Sequence, residues 1–240
     1  MNFTDLLATG TPVAIVVISG RATGDDAHSA RGTGKVLFED AFDRKELGRE
    51  WNVHPGSFRI EEGVMVAAQR ADADHGAVCQ TFVDFKDIVL DFRFRLEGES
   101  RGFNVVIDDR KYKGSHAGHI CRVTVRNKRI ELRDDKTGAM KTGNFEKLRD
   151  SKTRAEVTPL LVGKSRSVDV NLKRESWHSM RVEIVGPRMR VSLNGKPIGT
   201  LTSDGIDHAT KSDFGFTVLE QSVRFDDVRA TVPVKRAKAK

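Results

Sequence analysis

The stretch Trp177–Leu201, WHSMRVEIVGPRMRVSLNGKPIGTL, decides the fold class. Met180, Val182 and Ile184 alternate with Arg181 and Glu183, and after Gly186-Pro187 the residues Met189, Val191 and Leu193 alternate with Arg188, Arg190 and Ser192. Successive side chains of a strand point to opposite faces, so each run has one dry and one wet face. Asn194-Gly195 supplies the pair that tolerates positive φ at the centre of a tight hairpin, and Lys196–Leu201 returns as a third strand. Such a meander cannot bury its apolar face alone, so a second sheet must come from the rest of the chain. Trp177 is expected to be buried where the first of these strands begins.

The same pattern extends in both directions. Val36–Phe42 reads as a first strand entering a turn, and Ser57–Ile60 and Gly63–Ala68 form a hairpin closed at Glu61-Glu62-Gly63. In Asp87–Glu97 (DIVLDFRFRLE) Ile88, Leu90, Phe92, Phe94 and Leu96 fall on one face, while Asp91, Arg93 and Arg95 fall on the other. Phe103–Asp108 and a hairpin over Ile120–Arg133, turning at Asn127-Lys128, continue the series, and Gly215–Leu219 and Val223–Ala230 close it. Only Asn144–Glu156 looks helical, and its charge density marks it as a surface excursion. Many short strands and almost no helix predict an all-β, antiparallel two-sheet jelly-roll sandwich with one short surface helix.

Composition supports one such domain. The chain has 240 residues, 38% of them hydrophobic, enough for a sandwich of about 200 residues. The net charge is +7, but Lys235, Arg236, Lys238 and Lys240 supply more than half of it from a tail beyond Pro233. With no nucleic-acid module in the sequence, the expectation is no nucleic-acid partner. Cys79 and Cys121 lie in strand-like runs, too few for a zinc ribbon, and whether they pair is open. Pro12–Ser19 (PVAIVVIS) is too short to span a bilayer and resembles the core of a secretory signal, with Ala27-His28-Ser29 fitting a small-x-small cleavage rule. The segment before it carries Asp5 and no Lys or Arg. The expected organisation is a signal-like segment and linker over 1–34, the sandwich over 35–233 and a basic tail over 234–240, in a secreted or periplasmic protein.

The series FEDAF with Trp51 after it, FRIEEGVMVA, DIVLDFRFRLEG, the WHSMRVEI and MRVSLNGKPIG strands and a terminal VRFDDVRA resembles the concanavalin A-like sandwich of the 3-keto-disaccharide hydrolase domain family. These are exported bacterial proteins, abundant in planctomycetes and often labelled family-16-like glycosidases. The resemblance covers about Lys35–Pro233 and is of a divergent member: the usual Asn-Ser-Gly and Gly-x-Glu-x-Gln read here Glu99-Ser100-Arg101-Gly102 and Gly118-His119-Ile120-Cys121-Arg122. It implies a carbohydrate or glycoside partner and cleavage of glycosides oxidised at C3 by proton abstraction and elimination, followed by hydration.

The candidate site read from residue chemistry is Asp108–Arg122 (DDRKYKGSHAGHICR), a polar loop between two strands. His116 and His119 suit a base or metal ligand, Asp108 and Asp109 a divalent metal, and Lys113 and Arg122 an enolate. Tyr112 and the Asp91, Arg93, Arg95 face are the candidate sugar contacts. An exposed turn whose charges pair with one another is the alternative for the whole loop, and Asp134-Asp135-Lys136 reads as an ordinary turn near it. His54, His75, His178 and His208 stand isolated. The Glu-x-Asp-x-x-Glu run of family-16 enzymes is missing, which disfavours a conventional carboxylate pair. The alternative on the same sandwich is a non-catalytic carbohydrate-binding or cell-envelope module.

Overall fold

The computed structural model describes residues 34–54, 57–73, 75–220 and 222–234. The signal-like segment and the basic tail, apart from Gly34 and Val234, lie outside the described residues.

In chain order the strands are β1 (Val36–Asp40), β2 (Asn52–Val53), β3 (Ser57–Glu61), β4 (Val64–Ala68), β5 (Ala77–Phe85), β6 (Ile88–Leu96), β7 (Phe103–Asp108), β8 (His119–Arg126), β9 (Arg129–Asp134), β10 (Ser165–Asp169), β11 (His178–Val185), β12 (Arg188–Leu193), β13 (Lys196–Thr202), β14 (Lys211–Val218) and β15 (Val223–Thr231). They form two antiparallel sheets. One runs β13-β12-β11-β6-β15-β4-β3, with β1 also on β15, and the other runs β10-β9-β8-β7-β14-β5-β2. The alternation in the sequence sets what lies between them: Ile88, Leu90, Phe92, Phe94, Met180, Val182 and Ile184 from the first sheet meet Phe103, Val105, Ile107, Cys121, Val123, Phe214 and Phe216 from the second.

The predicted meander is present as β11, β12 and β13, paired in sequence. Asn194 (φ 49°) and Gly195 (φ 75°) both take positive φ at its hairpin, as that turn requires. Phenylalanine fills the centre. Phe216 and Phe225 stack with centroids 4.2 Å apart, and Phe103 meets Phe225 edge-on at 5.0 Å, so most of the thirteen Phe serve packing rather than recognition.

The last strand of the chain, β15, is central to its sheet: it pairs with β6 across a register shift between Asp226 and Arg229, and on its other side Val223–Phe225 pair with β4 and Val228–Thr231 with β1. Two readings change. The helical excursion is two helices, α1 (Thr142–Arg149) and α2 (Arg154–Val157), because Asp150 turns extended at the end of the first. Trp177 precedes β11 and is only half-buried on the outer face of the first sheet, with the guanidinium of Arg93 4.8 Å from its ring centroid and that of Arg95 5.8 Å away. The core tryptophan is Trp51, 4% exposed, whose Nε1 donates to Asp40 Oδ2 at 2.7 Å. Cys79 and Cys121 are both buried and free.

Candidate active site

The outward-facing residues of the second sheet form the floor of a cavity of about 680 Å³. Strand register sets them in rows. Phe82, Asp213, Asp108 and His119 lie side by side across β5, β14, β7 and β8. Gln80, Gly215, Val106 and Arg122 form the next row, and Val78, Thr217 and Asn104 the one beyond. Both ladders slip at the first row, between Ile107 and Asp108 and between Lys211 and Asp213, and such irregularities re-aim side chains beside sites. The loop after β7 and α1 supply a wall, where His116 stacks on Phe145 with centroids 4.0 Å apart and its backbone N–H donates to the Met140 carbonyl at 2.7 Å.

The chemistry is concentrated in the first two rows. Asp108 Oδ1 lies 2.7 Å from His119 Nδ1, so the carboxylate fixes the proton there and leaves Nε2 as the basic nitrogen. Gln80 Nε2 donates both to Asp108 Oδ2, at 3.2 Å, and to Asp213 Oδ1, at 3.0 Å. Asp213 is fully buried, and burial together with the neighbouring Asp108 charge pushes its carboxyl up to about 6, against the pull of Ser212, Arg110 and His119. Burial lowers the pKa of His116, and the guanidinium groups of Arg149 and Arg122 add to the effect.

Arg122 binds Asp135 through Nε, while its buried Nη2 and the Asp135 Oδ1 have no protein partner. Asp135 is thus the carboxylate that holds the arginine in place rather than an ordinary turn residue. Burial pushes its carboxyl up and the guanidinium offsets part of that. At the mouth, Phe82 is 47% exposed with Arg110 stacked over it at 4.1 Å.

The structure therefore brings Asp108, His116, His119 and Arg122 to one cavity and leaves the other expected site residues out of it. Asp109, next along the chain, faces the opposite way and accepts from His208 Nε2 at 2.9 Å, Thr210 Oγ1 at 3.0 Å and the Lys111 N–H. Tyr112 packs edge-on against His208, and Lys113 is exposed with its Nζ 3.5 Å from the Arg110 carbonyl. Asp91, Arg93 and Arg95 belong to the other sheet. Asp91 pairs with Arg181, Arg93 with Asp226, and Arg95 with Glu97.

The divalent-metal set expected from the loop does not fit this geometry. Asp108 has both oxygens engaged, Asp109 faces away, and no group of three or more His, Cys, Asp or Glu side chains gathers as a metal site among the described residues. His54 and His75, isolated in sequence, reach the cavity from beyond β2 and from before β5. Gln80, Asp213 and Phe82 lie outside the loop singled out in the sequence, and Arg110 lies within it without an assigned role. Each sits at a wet strand position or a strand end where polar or exposed residues are ordinary, and only pairing across strands 133 residues apart in sequence reveals Gln80 and Asp213 as partners.

No curated protein matches the sequence. Among solved structures, the laminarinase from Rhodothermus marinus is 15% identical, with TM-score 0.58 over 84% of this chain and 98% of that one. The GlcNAcα1-4Gal-releasing endo-β-galactosidase from Clostridium perfringens is 12% identical, with TM-score 0.59 over 87% of this chain and 65% of that one. The carbohydrate-binding module CBM66 from Bacillus subtilis is 9% identical, with TM-score 0.51 over 76% and 95%. At these identities the likeness is one of fold, a jelly roll shared by glycosidases and carbohydrate-binding modules. No helix among the described residues is long and apolar enough to cross a membrane. Residues 37–231 match the model of the 3-keto-alpha-glucoside-1,2-lyase-like domain, nearly the whole sandwich, and the chain belongs to that family.

Proposed function

We propose that this protein cleaves glycosides already oxidised at C3, with His119 as the base. A ketone at C3 acidifies the neighbouring C2–H. His119 Nε2 takes that proton, and the charge passes to the C3 oxygen as an enolate. Asp108 keeps the imidazole in the required tautomer and carries the charge opposite the imidazolium that forms. Arg122 lines the same cavity and its guanidinium, whose buried Nη2 has no protein partner, suits the enolate oxygen. When the C3 carbonyl re-forms, the C1=C2 bond closes and the C1–O bond breaks, the glycosidic oxygen leaving with its electron pair and gaining a proton. Water added across C1=C2 then gives the free 3-keto sugar.

The observation that carries this reading is the Asp108–His119 pair, its histidine only partly buried, lining one cavity together with Arg122, whose Nη2 has no protein partner. The family match supports the substrate class. The test is to incubate the protein with methyl 3-keto-α-glucoside and follow methanol release together with exchange of the C2 hydrogen in D2O. Wild type should do both and His119→Ala neither, at unchanged thermal stability. Saturable binding of glycans with no turnover and no exchange would replace this reading with that of a binding module.

A further inference from the structure

An elimination needs a proton at the departing oxygen as well as a base at C2, and an acid separate from His119 spares the imidazolium from having to serve both C2 and the oxygen on C1. Two carboxyls border the cavity floor, and they are not equivalent. Asp108 accepts from the imidazole. Asp213 accepts from Gln80 at 3.0 Å and from its neighbour Ser212 Oγ at 3.1 Å, with Arg110 Nε further off at 3.7 Å. We propose that Asp213 is the acid that protonates the glycosidic oxygen, and that Gln80 is a positioning residue holding it at a fixed setting beside Asp108. The inference rests on the elimination reading above.

The seat of Gln80 explains how the pair is kept. Directly across from it on β14 stands Gly215, where an added Cβ would fall 2.8 Å from Gln80 Cγ and 2.7 Å from its Cα. The glutamine side chain therefore lies over a position with no side chain of its own, and from there its single amide nitrogen reaches carboxylates on two other strands. Asp108 and Asp213 face each other across β7 and β14 as direct partners. Like charges so placed disfavour double ionisation, so one of the two holds a proton to higher pH than a lone carboxyl does. Asp108 already balances the imidazole, which leaves the proton with Asp213. The charged and titratable groups facing it are Asp108 from β7, Arg110 beyond the end of that strand and His119 from β8.

The C2 proton goes to His119 Nε2, the C1–O bonding pair leaves with the oxygen, and the Asp213 carboxyl gives that oxygen its proton. The products are the C1=C2 unsaturated 3-keto sugar and an alcohol. Afterwards the imidazolium loses a proton and the Asp213 carboxylate regains one, the net proton balance with water being zero.

The test compares leaving groups. Asp213→Asn should lose about 100-fold or more in kcat on methyl 3-keto-α-glucoside, the usual scale of general acid catalysis. On 4-nitrophenyl 3-keto-α-glucoside, whose phenolate leaves without help, the loss should be at least about tenfold smaller. C2 hydrogen exchange should persist in the variant, since the base is intact. Equal losses on both substrates, or loss of exchange with cleavage, would overturn the assignment. A wild type inactive in both assays would overturn the elimination reading itself. Gln80→Leu guards against a misfolded Asp213→Asn. Losing the donor shared by both carboxylates should move the basic limb of the kcat profile to higher pH, and an unmoved limb would reduce Gln80 to packing alone.

Discussion

Asp108 and His119 are register partners on β7 and β8, joined at 2.7 Å where the ladder slips by one residue. The slip turns the imidazole toward the outer face of the sheet, so the contact is set by the backbone and not by a flexible loop. Asp108→Asn keeps an oxygen for the Nδ1–H but removes the charge opposite the imidazolium. His119 then becomes a weaker base, and Asp213 loses a like-charged neighbour. Both limbs of the kcat profile should move to lower pH, and kcat should fall by about 100-fold or more. Rate measurements from pH 4 to 9 check this, and unmoved limbs would mean that the contact is structural.

Asp213 also couples the stability of the fold to pH. Its folded-state carboxyl titrates at about 6 against an ordinary value of 3.8. Between those values the folded protein binds more protons than the unfolded chain, so its contribution is fully present below about pH 4 and is lost as pH rises through about 6. A two-unit shift corresponds to about 3 kcal/mol. Asp213→Asn, which keeps an acceptor for Gln80, should therefore be more stable than wild type at pH 8 and lose that advantage by pH 4. Urea titrations at the two pH values measure it, and an equal difference at both would remove the linkage.

Most of the fold was legible because alternation is a local signal. Ile88–Leu96 and Met180–Leu193 announce their faces within a few residues, and Asn194-Gly195 announces its turn. The site was legible only where residue types cluster along the chain, as His116, His119 and Arg122 do with Asp108. Asp109 misled because adjacent strand-end residues point opposite ways, which composition does not show. Gln80 and Asp213 left no local trace, since their partnership exists only through β5 and β14 lying side by side. Trp177 was misread because a large aromatic before a strand suggests core, whereas here two arginines cover its ring.

The thiols of Cys79 and Cys121 are buried and unpaired, and burial raises both pKa values above that of a free thiol. Neither should react with a disulfide reagent in the native state, and both should react once guanidinium unfolds the chain. Reductant should leave Tm unchanged. A drop in Tm on reduction would show a bond between them.

Gly215→Ala should be costly although its backbone conformation is open to any residue. The new Cβ would fall 2.2 Å from the Cys79 carbonyl oxygen, a backbone atom in the adjacent strand. Forcing the strands apart should cost about 1–3 kcal/mol, as overpacking does. Gln80 should be displaced at the same time, so the basic limb of the kcat profile should shift as it does in Gln80→Leu. A variant with lowered Tm and an unshifted limb would separate the strand packing from the carboxyl pair.

The two tryptophans should differ in what their removal does. Trp51 stacks on Phe42 and Phe216 and meets Phe38 edge-on at 5.1 Å, with its N–H on the buried Asp40. Trp51→Ala empties the space between the sheets and strands that carboxylate, so the loss should be about 3–5 kcal/mol or more. Trp177 gives up contacts with Arg93 and Arg95 and some half-buried area, interactions of about 0.5–1 kcal/mol apiece at exposed sites. Trp177→Ala should cost about 1–2 kcal/mol on that basis. Its loss should also quench less of the unfolding-sensitive fluorescence than removing Trp51. Urea unfolding of the two variants side by side measures both quantities, and equal losses would place Trp177 in the core after all.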